Sequence, residues 1–121
     1  MKSCLVVDDS KVVRKFARRI VEELSFEVRE ACDGSEALAE CSKALPNVIL
    51  LDWNMPVMDG MQFLQEFRKN KEWADVIVIF CTTVNDISSI TEAMNYGANE
   101  YIMKPFDTEI VRNKFTQMGL L

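Results

Sequence analysis

Apolar and polar positions along this chain fall into blocks of two kinds. Continuous apolar runs occupy 3–8, 47–51 and 76–80. Each is short and unbroken, as a strand buried on both faces must be. Phe26–Ala31 and Asn99–Met103 mix polar with apolar and read as half-buried edge strands. Between these runs, apolar residues recur at helical spacing. Over 11–24 the stripe is Val12, Val13, Phe16, Ala17, Ile20, Val21 and Leu24. Over 34–45 it is Ala37, Leu38 and Cys41, with Asp33 and Glu36 as a capping pair. A third helix starts near Asp59 and turns Phe63, Leu64 and Phe67 inward. A fourth runs from about Asn85 to Tyr96 with Gly97 as its C-terminal cap, and a fifth from about Asp107 to Met118.

Five strand–helix alternations imply a parallel sheet with helices on both faces. Placing the mixed strands outside gives the order 2-1-3-4-5, a flavodoxin-like (βα)5 three-layer α/β sandwich. The first and third strands then lie side by side where the strand order reverses, the usual place for a ligand in such sheets.

Composition narrows the function. A chain of 121 residues fits a single domain, 1–121, and its net charge of −5 excludes a nucleic-acid partner. No stretch is long and apolar enough for a membrane, and the N-terminus enters a strand at once, so neither a signal peptide nor a membrane partner is expected. Cys4, Cys32, Cys41 and Cys81 have no CxxC spacing, and there is no His, so zinc is not expected. They read as reduced thiols of a cytoplasmic protein.

The chemistry sits at the strand ends. Asp8 and Asp9 close the first run, Asp52 follows the third, Thr82 the fourth and Lys104 the fifth. The topology gathers three carboxylates and an amine at one rim, where unrelieved repulsion is costly. A hard cation such as Mg²⁺ relieves it, with Asp9 and Asp52 as direct ligands, Asp8 acting through water and the backbone carbonyl of Asn54 adding an oxygen. Asp9 or Ser10 alternatively serves to cap the first helix. Pro105 restricts Lys104 and permits a cis peptide bond, aiming the ammonium at Asp52 or at a bound anion. A carboxylate, a metal, a Lys and the Thr82 hydroxyl suit phosphoryl transfer, with Asp52 as nucleophile.

These motifs resemble those of receiver domains of bacterial two-component response regulators, over essentially the whole chain. Leu5-Val6-Val7-Asp8-Asp9-Ser10 is similar to the family's acidic-pair motif, and Asp52–Gly60 to its phospho-acceptor loop. Thr82 stands at the switch hydroxyl, Tyr101 at the switch aromatic, and Lys104-Pro105-Phe106 at the Lys-Pro turn. Stand-alone chemotaxis-type receivers are the nearest in kind. The resemblance implies that Asp52 takes a phosphoryl group from a histidine kinase. It implies Mg²⁺ (Mn²⁺ substituting) on Asp8, Asp9, Asp52 and the Asn54 carbonyl, with Lys104 and Thr82 on the phosphoryl oxygens. A cis bond before Pro105 is implied as well. Asn54 and Val84 would tune the lifetime of the phosphorylated state; Val84 is apolar where many relatives are polar, and Thr83 stands where a small residue is common.

Phosphorylation would draw Thr82 toward the new oxygens and let Tyr101 swing inward. By helical spacing and by match to the family, Ile90, Met94, Tyr101 and Lys114 would form the output face. No output domain follows in the sequence, so a monomer signalling by protein contact is expected, its catalysis limited to its own phosphorylation and slow dephosphorylation. The partner is an effector, such as a flagellar motor switch, or other kinases if the protein is a phosphate sink or relay shuttle. A haloacid-dehalogenase-type phosphohydrolase is the alternative of another class. That pattern carries a second Asp where this chain has Asn54, and a cap domain for which the chain is short.

Overall fold

The computed structural model describes residues 1–82 and 87–121, and for Ile87 the backbone only. Five parallel strands, β1 (Ser3–Val7), β2 (Glu27–Ala31), β3 (Val48–Asp52), β4 (Ile77–Thr82) and β5 (Glu100–Met103), form one sheet in the order β2-β1-β3-β4-β5. The helices are α1 (Lys11–Glu23), α2 (Gly34–Lys43), α3 (Gly60–Arg68), α4 (Ile87–Asn95) and α5 (Thr108–Gln117), with a 3-10 turn at Lys71–Trp73. The flavodoxin-like α/β architecture expected from the hydrophobic pattern is the one formed.

Alternation along the strands divides the core in two. Cys4, Val6, Val48, Leu50, Ile79, Cys81 and Ile102 face α1 and α5, packing on Ala17, Ile20, Val21, Val111 and Phe115. Leu5, Val7, Ile49, Leu51, Val78 and Phe80 face the other layer, with Ala37, Phe63, Leu64, Phe67 and Ala93. Between their end residues Ser3, Asp52 and Thr82, the central strands are apolar because both of their faces are covered.

Helix ends follow local chemistry. Ser10, not Asp9, caps α1, its hydroxyl accepting from the Val13 N–H at 3.3 Å. Asp33 caps α2, but Glu36 accepts from the Cys32 N–H at 3.1 Å rather than from Asp33, so the expected pair is one-sided. The reciprocal capping box belongs to α3, between Asp59 and Gln62. Gly97, at φ 109°, ends α4, with the Ala98 N–H reaching back to the Ala93 carbonyl at 3.0 Å. The start of α4 expected at Asn85 lies outside the described residues, as do Thr83 and Val84.

Other boundaries move by one or two residues. Asp52 is the last residue of β3 and Thr82 the last of β4, rather than lying just past them. The second helix stops at Lys43 because Pro46 holds Leu45 away from helical geometry. The expected stripe of the first helix is too wide. Val12 is 79% and Phe16 49% exposed, because at 3.6 residues per turn they fall on the flank of α1, outside the arc of Ala17, Ile20 and Val21 that packs on the sheet.

α1 ends in the same back-bonded turn as α4, but with Ser25 in the left-handed region at φ 69°. Any residue with a Cβ is strained there. Ser25→Gly is expected to stabilise the fold by about 0.5–1 kcal/mol, after allowing for glycine's larger unfolded-state entropy. Urea unfolding measures the gain, as a higher midpoint at unchanged slope.

Candidate functional site

Asp8 lies one residue beyond β1 and is 4% exposed. Its N–H donates to the Ala31 carbonyl at 3.1 Å, and its Oδ1 accepts from the Ser10 N–H at 2.9 Å. Asp52 ends the neighbouring strand and is 9% exposed, whereas Asp9 faces solvent. One carboxylate oxygen from each of Asp8, Asp9 and Asp52 lies within 4.8 Å of the others. The strand pairing forces this proximity, since β1 and β3 run side by side and in register through Val7 and Leu51.

Lys104 reaches the cluster from β5. Its Nζ donates to Asp8 Oδ2 at 2.7 Å and to Asp52 Oδ1 at 3.0 Å. The expectation left Lys104 with Asp52 or an anion; its ammonium in fact bridges two of the acids. The Lys104–Pro105 peptide bond is cis, as the Lys-Pro turn suggested. The Lys104 N–H donates to the Thr82 carbonyl at 2.7 Å, so the ladder between β4 and β5 brings Thr82 and Lys104 to the same rim. Thr82 is buried there.

Electrostatics follow from the crowding. Burial pushes the Asp52 carboxyl above the ordinary carboxylate value; Lys104 pulls it back, and Asp8 and Asp9 push it up again. Burial alone would lower the Lys104 ammonium, but its hydrogen bonds to Asp8 and Asp52 outweigh that and hold it above its ordinary value. Beside Asp52, burial pushes the Cys81 thiol up to about 12, which leaves it protonated and without a nucleophilic part to play.

Two glycines allow the surrounding segments to approach. A Cβ on Gly60 would stand 2.6 Å from the Asp52 carbonyl oxygen, so only glycine lets α3 start directly against the end of β3. A Cβ on Gly34 would stand 2.8 Å from the Met58 carbonyl oxygen, which instead accepts the Gly34 N–H at 2.9 Å. The loop after Asp52 is thereby fastened to α2 and α3. Asn54 is exposed within it, and Val57 at its tip adopts φ 68° under a 2.8 Å bond from the Met58 N–H to the Pro56 carbonyl.

The expected output residues are less uniform. Tyr101 and Ile90 are half-buried against the layer containing α3 and α4, and Met94 is 39% exposed. The Lys114 ammonium stands 5.3 Å from the centre of the Tyr101 ring and 3.4 Å from Glu100 Oε1. A second surface escaped the sequence pattern. Val13, Phe16, Pro105 and Phe106 line a hollow beside Lys104, with the rings of Phe16 and Phe106 6.0 Å apart. The i,i+4 pair Val12 and Phe16, set among the exposed Lys11, Lys15 and Arg19, was its only signal in the sequence.

Among the described residues no helix is long and apolar enough to cross a membrane, and the four cysteines are free thiols. The cluster offers only hard oxygen donors from its three acids, the chemistry that suits a hard divalent cation such as Mg²⁺, Mn²⁺ or Ca²⁺.

Comparison with known proteins agrees with this geometry. The family model "Response regulator receiver domain" matches residues 4–116. The chain is 33% identical over 112 residues to chemotaxis protein CheY1 of Helicobacter pylori, covering 91% of this chain and 90% of that one. It is 36% identical over 102 residues to the probable transcriptional regulator ycf27 of Porphyridium aerugineum, but that match takes in 84% of this chain and only 41% of the relative's length. The solved structure of Vibrio cholerae chemotaxis protein CheY4 superposes with a TM-score of 0.91 at 32% identity, covering 97% of this chain and 98% of that one. With the family model spanning most of the chain and a chemotaxis receiver superposing over nearly its whole length, the chain belongs to the response regulator receiver domain family and is a CheY-like receiver of two-component signalling.

Proposed function

We propose that residues 1–121 act as one phosphorylation-switched binding module, with Asp52 as the phospho-acceptor. The observation that carries this reading is the Lys104 ammonium bridging Asp8 and Asp52 inside a cluster of three carboxylates. Such a rim is poised for an anion that brings its own cation.

An Asp52 oxygen attacks the phosphorus of a kinase phosphohistidine. The new P–O bond forms as the P–N bond breaks, and the histidine leaves with a proton. Lys104 turns from the carboxylates to the phosphoryl oxygens, and the Thr82 hydroxyl donates to another. Asp8, Asp9, Asp52 and the Asn54 carbonyl would hold Mg²⁺, with Mn²⁺ able to substitute. The ion would neutralise charge on the transferring oxygens. Asn54 and Val84 stand at the sequence positions that, by resemblance to the family, tune the lifetime of the aspartyl phosphate. Catalysis is confined to this self-modification and its slow reversal.

Thr82 and Tyr101 carry the change outward to the face of Ile90, Met94, Tyr101 and Lys114. A target protein docks there, and the chemotaxis names of the relatives favour an effector of the flagellar-switch kind. We read the protein as a cytoplasmic monomer. A donor kinase must pass the rim to reach Asp52, and the apolar hollow at Phe16, edged by basic residues, is the surface beside that path.

With Mg²⁺ and acetyl phosphate, Asp52 is expected to gain one phosphoryl group, seen as a mass increase in the intact protein; equal labelling of Asp52→Ala removes Asp52 from its role. Phe16→Ala is expected to slow transfer from a cognate phosphorylated kinase about tenfold, as loss of a docking contact does. Acetyl-phosphate labelling should be unchanged, because a small donor needs no docking. Because the folded Asp52 binds its proton more tightly than the unfolded chain does, its ionisation subtracts stability as pH rises through the raised pKa. Asp52→Asn should therefore have the higher Tm at pH 7 without divalent cations. That advantage should shrink as pH falls below the ordinary carboxylate value, and saturating Mg²⁺ should narrow it at pH 7 by stabilising only the wild type.

A further inference from the structure

Arg14 takes no part in the proposed chemistry, yet it is built into the rim. Its Nη1 donates to the main-chain carbonyl of Asp8 at 2.8 Å, and its Nε donates to Glu30 Oε1 at 3.1 Å. Both side chains are largely covered, at 16% and 13% exposure. The other oxygen of Glu30 accepts from Lys15 Nζ and Arg18 Nη1, each at 2.8 Å. Burial pushes the Glu30 carboxyl up, but the three cations outweigh it and hold it down to about 2. Glu30 is thus a fixed anion that clamps one edge of the Arg14 fork and leaves the other edge aimed at Asp8.

We propose that Arg14 is a positioning residue for the metal site: its bond to the Asp8 carbonyl fixes the peptide plane between Asp8 and Asp9 and so aims the Asp9 carboxylate into the cluster. Asp8 is held at every polar group, by Ala31, Ser10, Lys104 and Arg14. Asp9 is the exposed member, and two neighbouring carboxylates repel it toward water. Its backbone is what keeps it in place, and Arg14 holds that backbone through the Asp8 carbonyl, a group that no other bond of the cluster uses. Charge alone would act the other way, since a guanidinium beside the site disfavours a divalent cation. The sign of the effect therefore separates positioning from electrostatics.

The inference rests on the metal reading above and is tested on the full chain. Mg²⁺ is titrated into wild type, Arg14→Met and Arg14→Lys, each carrying Trp73→Phe so that Trp53, next to Asp52, is the sole tryptophan and its emission is followed; the Tm of each protein is measured alongside. Arg14→Met is expected to bind Mg²⁺ about tenfold more weakly, the cost usual for losing an outer support of a metal site. Arg14→Lys keeps the charge but reaches only one partner well, and should fall between the two. Affinity in Arg14→Met equal to or tighter than wild type overturns the proposal. If Arg14→Met does not fold, Arg14→Lys decides: weaker binding at unchanged charge supports positioning, and unchanged affinity overturns it. A wild-type chain that does not respond to Mg²⁺, by emission or by calorimetry, overturns the metal reading and this inference together. A normal wild-type response with unaffected variants overturns this inference alone.

Discussion

Repulsion among Asp8, Asp9 and Asp52 is the constraint around which this molecule is arranged. Two of the three are held at the ends of adjacent strands and are shielded from water, so they cannot relieve the repulsion by moving apart. The ammonium of Lys104 relieves part of it by standing between Asp8 and Asp52. Burial, more than repulsion, still keeps the Asp52 carboxyl above its ordinary value even with Lys104 beside it, and Asp8 and Asp9 add to the rise. A buried carboxylate in that condition gains more from a further cation than an exposed one would.

The rest of the fold supplies the rigidity this requires. β1 and β3 are central strands, apolar on both faces, so their C-terminal ends inherit the order of the core. Gly60 and Gly34 bring the N-termini of α3 and α2 against the segments around Asp52. Arg14 and Glu30 brace the opposite side through α1 and β2. Asp8 and Asp9 are thus braced through β1, α1 and β2, and Asp52 through β3 and α3.

Legibility in the sequence divides along physical lines. Strand order was readable because apolar-throughout and mixed strands differ in composition for a simple reason, burial on two faces or on one. Asp8, Asp52, Thr82 and Lys104 were readable because each stands at the C-terminal end of such a strand. Local reach was not. Whether Glu36 closes on Asp33 or on Cys32, and whether Lys104 takes one acid or two, depends on side-chain directions that no period encodes. The exposure of Val12 and Phe16 was hidden because a helical stripe records which residues are apolar, not how much of its width the sheet covers. Arg14 was invisible for a related reason, since its partners lie in β2 and in the main chain of Asp8.

Distance along the β4–β5 ladder limits how any change at the rim can travel. Thr82 pairs with Met103 and Phe80 with Tyr101, so Tyr101 lies two ladder steps from Thr82 and three residues from Lys104 on its own strand. Phe80 is fully buried and holds Trp53, the neighbour of Asp52, in an edge contact at 4.6 Å. Tyr101 is half-buried, with the Lys114 ammonium over its ring and Ile90 on the same layer. A close-packed ladder resists continuous deformation, so displacement at Lys104 or Thr82 must be taken up by a side chain with room to choose between positions. Phe80 has no such room. Tyr101, half-buried at the boundary between core and solvent, is the less confined of the two, which supports placing the proposed responsive element on β5 rather than in the strands that carry the acids.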